Sequence, residues 1–340
     1  MKQSKVLVIY TGGTIGMVRN HATGGLQAFD FDHLFDQIPE LKRLDVELSA
    51  ISFEKPIDSS EMSPAVWKAL VGIVFDNYDI YDGFVILHGS DTMSFTASAL
   101  SFMLQGLRKP IILTGSQLPI GTIRTDGKEN FITAVEIAAM KDEYGNAVVQ
   151  EVAIYFEYSL YRGNRTAKVS SSDFEAFKSG NHPELARAGV DIKFNHNALY
   201  RTKLPDFVCY PELDTRIANI SLFPGIDFEL YESIFDAKRV NGIVLSTFGS
   251  GNGPQSAVMN KLMGDFIQSG GLILNISQCF VGGVQHGKYD SSKQFLELGV
   301  LEGGTMTREA AITKLMHVLP QSTDNDFFKH KLTNELSGEM

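Results

Sequence analysis

Residues 5–16, KVLVIYTGGTIG, carry an unbroken apolar run from Val6 to Tyr10 straight into Thr11-Gly12-Gly13-Thr14. A short β-branched run without alternation reads as a strand covered on both faces, the kind found in parallel sheets. The glycine pair allows a sharp turn where the strand stops. The same arrangement recurs down the chain. Residues 46–53 form a second run ending near Asp58-Ser59-Ser60, GFVIL (Gly83–Leu87) leads into His88-Gly89-Ser90-Asp91, and residues 110–113 (PIIL) lead into Thr114-Gly115-Ser116. Between them lie helical stretches: one opened by Ser63-Pro64 as N-cap and first helical residue and running to about Phe75, then residues 92–105 and 126–140. VAIYF (Val152–Phe156) is the next strand.

Strand alternating with helix predicts an α/β fold with a parallel, doubly covered sheet. The alternation fades over residues 170–211 and resumes with strands near 217–222, 242–245 and 272–276. We therefore divide the chain into a larger N-terminal parallel-sheet domain, residues 1–210, and a smaller C-terminal Rossmann-like domain, residues 211–340.

Four polar clusters, residues 11–14, 58–60, 90–92 and 114–116, each follow an apolar strand directly. In an open parallel sheet, ligands bind beyond the carboxyl ends of the strands. Any one cluster is an ordinary polar turn. Four in succession, two of them framed by glycine, point to a small-ligand site at one sheet edge.

Several chemistries have no support in the residues. There is no GxxxxGK[ST] phosphate loop, and Gly249-Ser250-Gly251-Asn252-Gly253-Pro254 misses the GxGxxG spacing. The eight histidines form no HExxH or other close ligand set, so no metal is expected. His88 reads as a hydrogen-bonding residue behind the site. What remains is hydroxyl nucleophiles, carboxylates and a lysine. A hydroxyl nucleophile needs a neighbouring base or charge network, and attack on an amide needs donors for the developing oxyanion, which glycine-rich backbone supplies.

The 340 residues are 44% hydrophobic and 21% charged, a globular composition, and the formal net charge of -10 disfavours nucleic-acid and anionic-membrane partners. The N-terminus shows no signal-peptide pattern and no stretch is long and apolar enough to span a bilayer. Cys209 and Cys279 fit no zinc or redox spacing. A cytoplasmic location with free thiols is the expectation.

At these residues the chain resembles the bacterial-type L-asparaginases, most closely their cytoplasmic type I branch. YTGGTIG (residues 10–16) and HGSDTM (88–93) carry the resemblance, with DSSEM (58–62), TGSQ (114–117), YRGNRTAK (161–168) and ISQC (276–279) in support. It covers essentially the whole chain. It implies the two-domain asparaginase/glutaminase fold and hydrolysis of L-asparagine to L-aspartate and ammonia through an acyl-enzyme, with no cofactor. By that resemblance Thr14 is the nucleophile, and Ser90, Asp91 and Lys168 form the second catalytic group. Lys168 joins a proton network without a fixed direction; on its own it would read as a solvated surface charge. Asp91 also grips the substrate ammonium. Asp58, Ser59 and Ser60 hold the α-carboxylate through backbone donors and the Ser59 hydroxyl, and Ser116 lines the amide pocket. Asn252 is the candidate for completing a neighbouring subunit's site in a homodimer or homotetramer; its plain reading is a helix-leading turn with Pro254 at the first helical position.

The chain departs from that pattern in three ways. Ser90 stands where threonine is usual. The segment MVRNHATGGLQA (17–28), a loop made flexible by Gly24-Gly25, lacks the usual catalytic tyrosine, and Phe29 and Phe31 can close a pocket but carry no proton. Ala167 and Ser246 replace the threonine and arginine that, with the cysteine matching Cys279, serve asparagine allostery in some relatives, so weak or absent allostery is expected. Three alternatives stay open: a glutaminase, an amidase acting on the glutamyl end of a charged tRNA, and a catalytically weak amino-acid sensor. The tRNA enzymes usually carry an added N-terminal domain, whereas this chain starts at its first strand. One methylene separates asparagine from glutamine, worth only ~1–3 kcal/mol in a pocket.

Overall fold

Val6–Tyr10 is enclosed because it runs down the middle of a sheet. In the computed structural model, Ser4–Gly12 (β1) pairs in parallel with Val46–Ile57 (β2) on one side and with Gly83–Leu87 (β3) on the other. The structure describes residues 3–19, 26–28, 38–287 and 289–340. These fall into two compact units, Met1–Pro211 and Glu212–Met340.

In the first unit β3 continues the parallel set through Ile111–Thr114 (β4) to Val152–Phe156 (β5). Three more strands complete the eight-stranded sheet: Ser159–Arg162 (β6), Ala186–Ala188 (β7) and Ile192–Phe194 (β8), in the order β8-β7-β6-β5-β4-β3-β1-β2. These last three are antiparallel to their neighbours, so the sheet is mixed where the sequence reading had a parallel one. The reason is local. Glu157 and Tyr158 take φ of 44° and 67° and reverse the chain in a two-residue hairpin, which leaves no room for a crossover helix.

Helices cover the sheet as the apolar runs require. Pro64–Asn77 (α1) and Met93–Met103 (α2) bury Trp67, Leu70, Phe102 and their neighbours. Gly127–Ala139 (α3) packs Phe131, Ala134 and Val135 into one core with Val6, Val8, Tyr10 and Val85. Each enclosed aliphatic or aromatic side chain of this kind contributes about 1.5–3 kcal/mol. Ser63 does precede α1 in an extended conformation, but its side chain makes no capping bond; its carbonyl instead accepts from Val66 and Trp67 N–H. The segment read as a loop over 17–28 contains a short antiparallel ribbon, Met17–Arg19 with Leu26–Ala28. Gly24-Gly25, Phe29 and Phe31 lie outside the described residues.

The second unit is a four-stranded parallel sheet of Ile217–Ser221 (β9), Gly242–Thr247 (β10), Leu272–Ser277 (β11) and Leu301–Glu302 (β12). Its core joins Ile243, Leu245 and Ile273 to Met259, Met263 and Phe266 of Ala257–Gln268 (α4) and to Phe295 of Asp290–Leu298 (α5). Pro254 is not the first helical residue. The helix begins at Ala257, because Ser256 caps it by accepting from Met259 N–H at 3.2 Å. Two further helices, Arg308–Val318 (α6) and Asn325–Thr333 (α7), bring Lys314 to Glu339. That pair is fully buried at 2.5 Å. Lys314 also donates to the carbonyls of Leu332 and Asn334, while the Glu339 carboxylate accepts from Leu336 and Ser337 N–H. No helix among the described residues is long and apolar enough to cross a membrane.

Candidate active site

The four parallel strands β2, β1, β3 and β4 are consecutive neighbours, so the loops that leave their carboxyl ends are also neighbours. Glycines let these loops touch. A Cβ on Gly13 would stand 2.5 Å from the Gly89 nitrogen, and one on Gly89 would stand 2.7 Å from the Ser59 side chain. One on Gly115 would stand 2.3 Å from the His88 carbonyl oxygen. Gly12 and Gly13 also carry φ of 135° and 88°, which L side chains rarely adopt. Residues 12–14, 58–60, 88–92 and 114–117 are thereby one surface.

Beneath this surface, hydroxyls tie the loops to the sheet. Thr11 donates to Leu87 O at 2.9 Å, Thr114 to Tyr155 O at 2.8 Å, and Thr92 to Ser59 O at 2.6 Å. His88 is wholly buried. Its Nδ1 lies 2.6 Å from Gly89 O, which can only accept, so the proton sits on Nδ1 and Nε2 accepts from the Thr96 hydroxyl at 2.8 Å. Trp67 Nε1 in turn donates to Thr96 at 2.9 Å. Burial pushes the His88 pKa down to about 4, and the residue is a neutral brace, as its sequence context suggested.

On the surface itself, Lys168 is the centre of charge. It lies on a two-residue ribbon, Ala167–Lys168 against Phe177–Lys178, anchored by the Phe177 ring against Phe156 at 5.0 Å. Lys168 Nζ donates to Ser90 Oγ at 2.9 Å and to Asp91 Oδ1 at 2.6 Å. The Lys168 side chain is only 16% exposed while that of Asp91 is 66% exposed, so one face of the carboxylate is open. Thr14, half-buried, begins the single turn Thr14–Gly16 one residue from the Gly13–Gly89 contact.

Asp58 accepts from both the amide and the hydroxyl of Ser60, at 2.8 Å each, which holds its pKa below the usual carboxylate range. Ser59 is buried in the same turn. Ser116 is buried against Gly127 at the start of α3, and its hydroxyl has no hydrogen-bond partner among the described residues. Asn252 belongs to the second unit. It closes a tight loop through Phe248, and its Oδ1 accepts from Ser291 at 2.8 Å. Gln278, the residue before Cys279, donates to Ser246 O at 2.9 Å, while Cys279 N–H donates to Ser277 Oγ at 3.0 Å.

Sequence reasoning passed over the clamp behind Gln117. Asp126 accepts from Gln117 and Leu118 N–H, and Asn130 donates to both Asp126 and Gly115 O. Gln117 Oε1 stands 3.5 Å from Ser90 Oγ, and its amide nitrogen donates to Asp173 O at 2.9 Å. The available signal was Asp126 just before a helix, a position where a carboxylate commonly meets backbone N–H groups.

The arrangement presents a weak hydroxyl beside glycine backbone, a lysine–serine–aspartate cluster, and a turn of backbone donors. That combination suits binding and attack on a small amide. The comparisons agree. The family model for the asparaginase N-terminal domain matches residues 5–200, and that for the glutaminase/asparaginase C-terminal domain matches residues 216–331. L-asparaginase 1 of Escherichia coli K12 is 36% identical, with 100% of this chain and 99% of that protein covered. The crystal structure of L-asparaginase I from Vibrio cholerae superposes with a TM-score of 0.90 at 36% identity, covering 100% of this chain and 99% of that one. The human 60 kDa lysophospholipase is 35% identical over 99% of this chain and 62% of its own length. Two domain models in tandem, and full-length likeness in both sequence and coordinates, make the chain a member of the asparaginase family and an amidohydrolase.

Proposed function

We propose that the chain hydrolyses L-asparagine to L-aspartate and ammonia, with Thr14 as nucleophile. The observation that carries this reading is the Lys168 ammonium shared between Ser90 Oγ and Asp91 Oδ1, on a loop whose Gly89 touches Gly13, the residue before Thr14. Thr14 Oγ1 adds to the side-chain amide carbon, its proton passes to the departing nitrogen, and ammonia leaves an acyl-threonine ester. A water polarised at Ser90 then attacks the ester and returns the proton to Thr14, releasing aspartate. Lys168 and Asp91 hold Ser90 and organise that water.

The remaining assignments follow the substrate's own charges. The exposed face of Asp91 takes the α-ammonium as a charge-assisted hydrogen bond. The Ser59 hydroxyl and the Asp58-Ser59-Ser60 turn take the α-carboxylate, with the Ser60 N–H itself committed to Asp58. Ser116 lines the amide end, where its hydroxyl, without a hydrogen-bond partner among the described residues, supports the role. Asn252 serves the site of a neighbouring copy in a homodimer or homotetramer. The reaction needs no cofactor, and the setting is cytoplasmic.

Ammonia release from asparagine and glutamine by wild type and Thr14→Ala tests the reading. Turnover of asparagine that disappears in Thr14→Ala supports it. A folded wild type that releases no ammonia from either amide sinks it. One observation favours the sensor as a second reading: residues 17–28 contain no tyrosine to assist Thr14. Tight asparagine binding without ammonia release is its signature.

A further inference from the structure

At the sheet edge opposite the candidate active site, a second group of charged side chains converges. Asp82 stands close before β3, Arg108 and Lys109 close before β4, and Gln150 close before β5, so the amino ends of three neighbouring strands bring them together. With Lys141 and Asn146 they line a half-open cleft of about 190 Å³.

The walls of this cleft are already fixed. Between α3 and β5 the chain folds back on itself: Lys141 bridges to Ala147, and Val148 N–H donates to Met140 O at 3.1 Å. Asp142 Oδ1 accepts the N–H groups of Tyr144 and Asn146 at 3.0 and 2.8 Å, and Gln150 Nε2 donates to Ala147 O at 3.2 Å. On the other side, Arg108 N–H donates to the Tyr78 hydroxyl at 2.7 Å. Lys109 Nζ donates to the carbonyls of Tyr78 and Tyr81 and lies 4.8 Å from the centre of the Tyr78 ring. A ligand here meets side chains that are held in place before it arrives, which lowers the ordering cost of binding.

The charges of the lining do not balance, since three cationic side chains face one carboxylate. Asp82 is the counter-ion of Lys141, at 2.9 Å, and its second oxygen accepts Lys5 N–H at 2.8 Å. Arg108 Nη2 donates to the carbonyls of Leu204 and Pro205 at 3.3 Å each. Carbonyl oxygens such as these and those on Lys109 accept hydrogen bonds but carry no net charge. Burial lowers the Lys109 pKa, with Asp82 and Asp79 opposing that effect and Lys141 adding to it. An anion between the two lysines would replace their repulsion with attraction. The volume lies below the ~300–1,000 Å³ of ordinary organic-ligand pockets, which suits an oxyanion and is too small for a nucleoside. A metal ion would be repelled, and an apolar molecule would strip water from the ammonium groups without replacing it.

We propose that this cleft binds a phosphate group, as free phosphate or as the end of a small phosphate monoester, with Lys109 and Lys141 as point donors and Arg108 as the planar fork. The bound group links the start of β4 to the 140–148 hairpin and stabilises the first unit by mass action. The site lies at the other end of the strands from Thr14 and is independent of the hydrolysis reading.

The test is calorimetric titration of the full chain with inorganic phosphate, and separately with glycerol 3-phosphate, in chloride buffer of matched ionic strength. Phosphate is expected to bind saturably and to raise the melting temperature, while added chloride does neither. Arg108→Gln and Lys141→Gln are each expected to weaken binding about tenfold or more, and Arg108→Glu to abolish it. Arg108 is exposed, so without phosphate its variants should melt near wild type, which keeps the test independent of folding. Saturating L-aspartate should leave phosphate binding unchanged, separating the cleft from the candidate active site. Glycerol 3-phosphate binding at least as tightly as phosphate identifies a monoester as the occupant, and phosphate binding alone identifies the free ion. No saturable binding at roughly 10 mM of either compound overturns the proposal. So does binding that is unchanged in the Arg108 and Lys141 variants, or that L-aspartate displaces. A protein inactive on asparagine that still binds phosphate refutes the hydrolysis reading alone.

Discussion

Gly13 and Gly89 meet backbone to backbone, so close that a Cβ on Gly13 would stand 2.5 Å from the Gly89 nitrogen and 2.6 Å from its Cα. This contact sets the spacing between the turn that bears Thr14 and the loop that bears Ser90 and Asp91. Gly13→Ala adds a clash with rigid backbone to a φ of 88°, and is expected to cost about 3 kcal/mol or more. Chemical denaturation of the purified variant measures this. A loss under about 1 kcal/mol would mean the loops are not held by that contact.

Lys168 offers a separation of stability from activity. Its Asp91 partner is mostly exposed, so Lys168→Met should change stability by no more than about 1 kcal/mol. Ammonia release should fall by about 10²–10⁴-fold if the lysine organises proton movement at Ser90. Lys168→Arg keeps the charge but replaces a point donor with a planar fork, and should restore little. Full activity in the methionine variant would remove Lys168 from the mechanism.

His88 predicts the direction of acid sensitivity. Its pKa is depressed to about 4 in the folded protein, from about 6.5, so the unfolded chain takes up its proton first as pH falls. Its contribution to stability is complete above about pH 6.5 and is lost on descent toward pH 4, with about 2 kcal/mol gone between pH 7 and pH 5. Denaturation curves of wild type and His88→Gln at the two pH values check this. The variant should show a smaller loss; equal losses would exclude His88 as a source.

The buried Lys314–Glu339 pair makes the second unit vulnerable to single charge removal. Lys314→Met strands the Glu339 carboxylate and is expected to cost about 3–5 kcal/mol, with Glu339→Gln costly for the converse reason. Combining Lys314→Met with Glu339→Gln should recover part of that loss. Strict additivity in the double-mutant cycle would show the two charges to be uncoupled.

Much of the first unit was legible because its strands are covered on both faces and end in glycine and hydroxyl residues. The apolar runs of residues 6–10, 83–87 and 111–113 needed no tertiary information to be placed in a parallel set. The antiparallel turn at Glu157-Tyr158 was hidden because neither residue is the glycine or asparagine that marks such a hairpin. Ser256 displaced Pro254 at the head of α4 because a capping hydroxyl competed successfully with the proline signal. The Asp126 clamp on Gln117 and Leu118 was hidden for another reason: it depends on where α3 is docked, not on the residues of α3 alone.

By itself the sequence determined which loops gather at the sheet edge. Side chains of a parallel strand order its neighbours, and the polar cluster at its end must follow. Only the tertiary structure decided which polar groups meet. Lys168 reaches Ser90 across 78 residues, His88 turns inward to Thr96, and the Asn275 amide reaches His286 Nε2. Hydrogen bonds act over about 3 Å, so their pairing depends on the packing of the whole unit, while apolar periodicity is already complete within one strand.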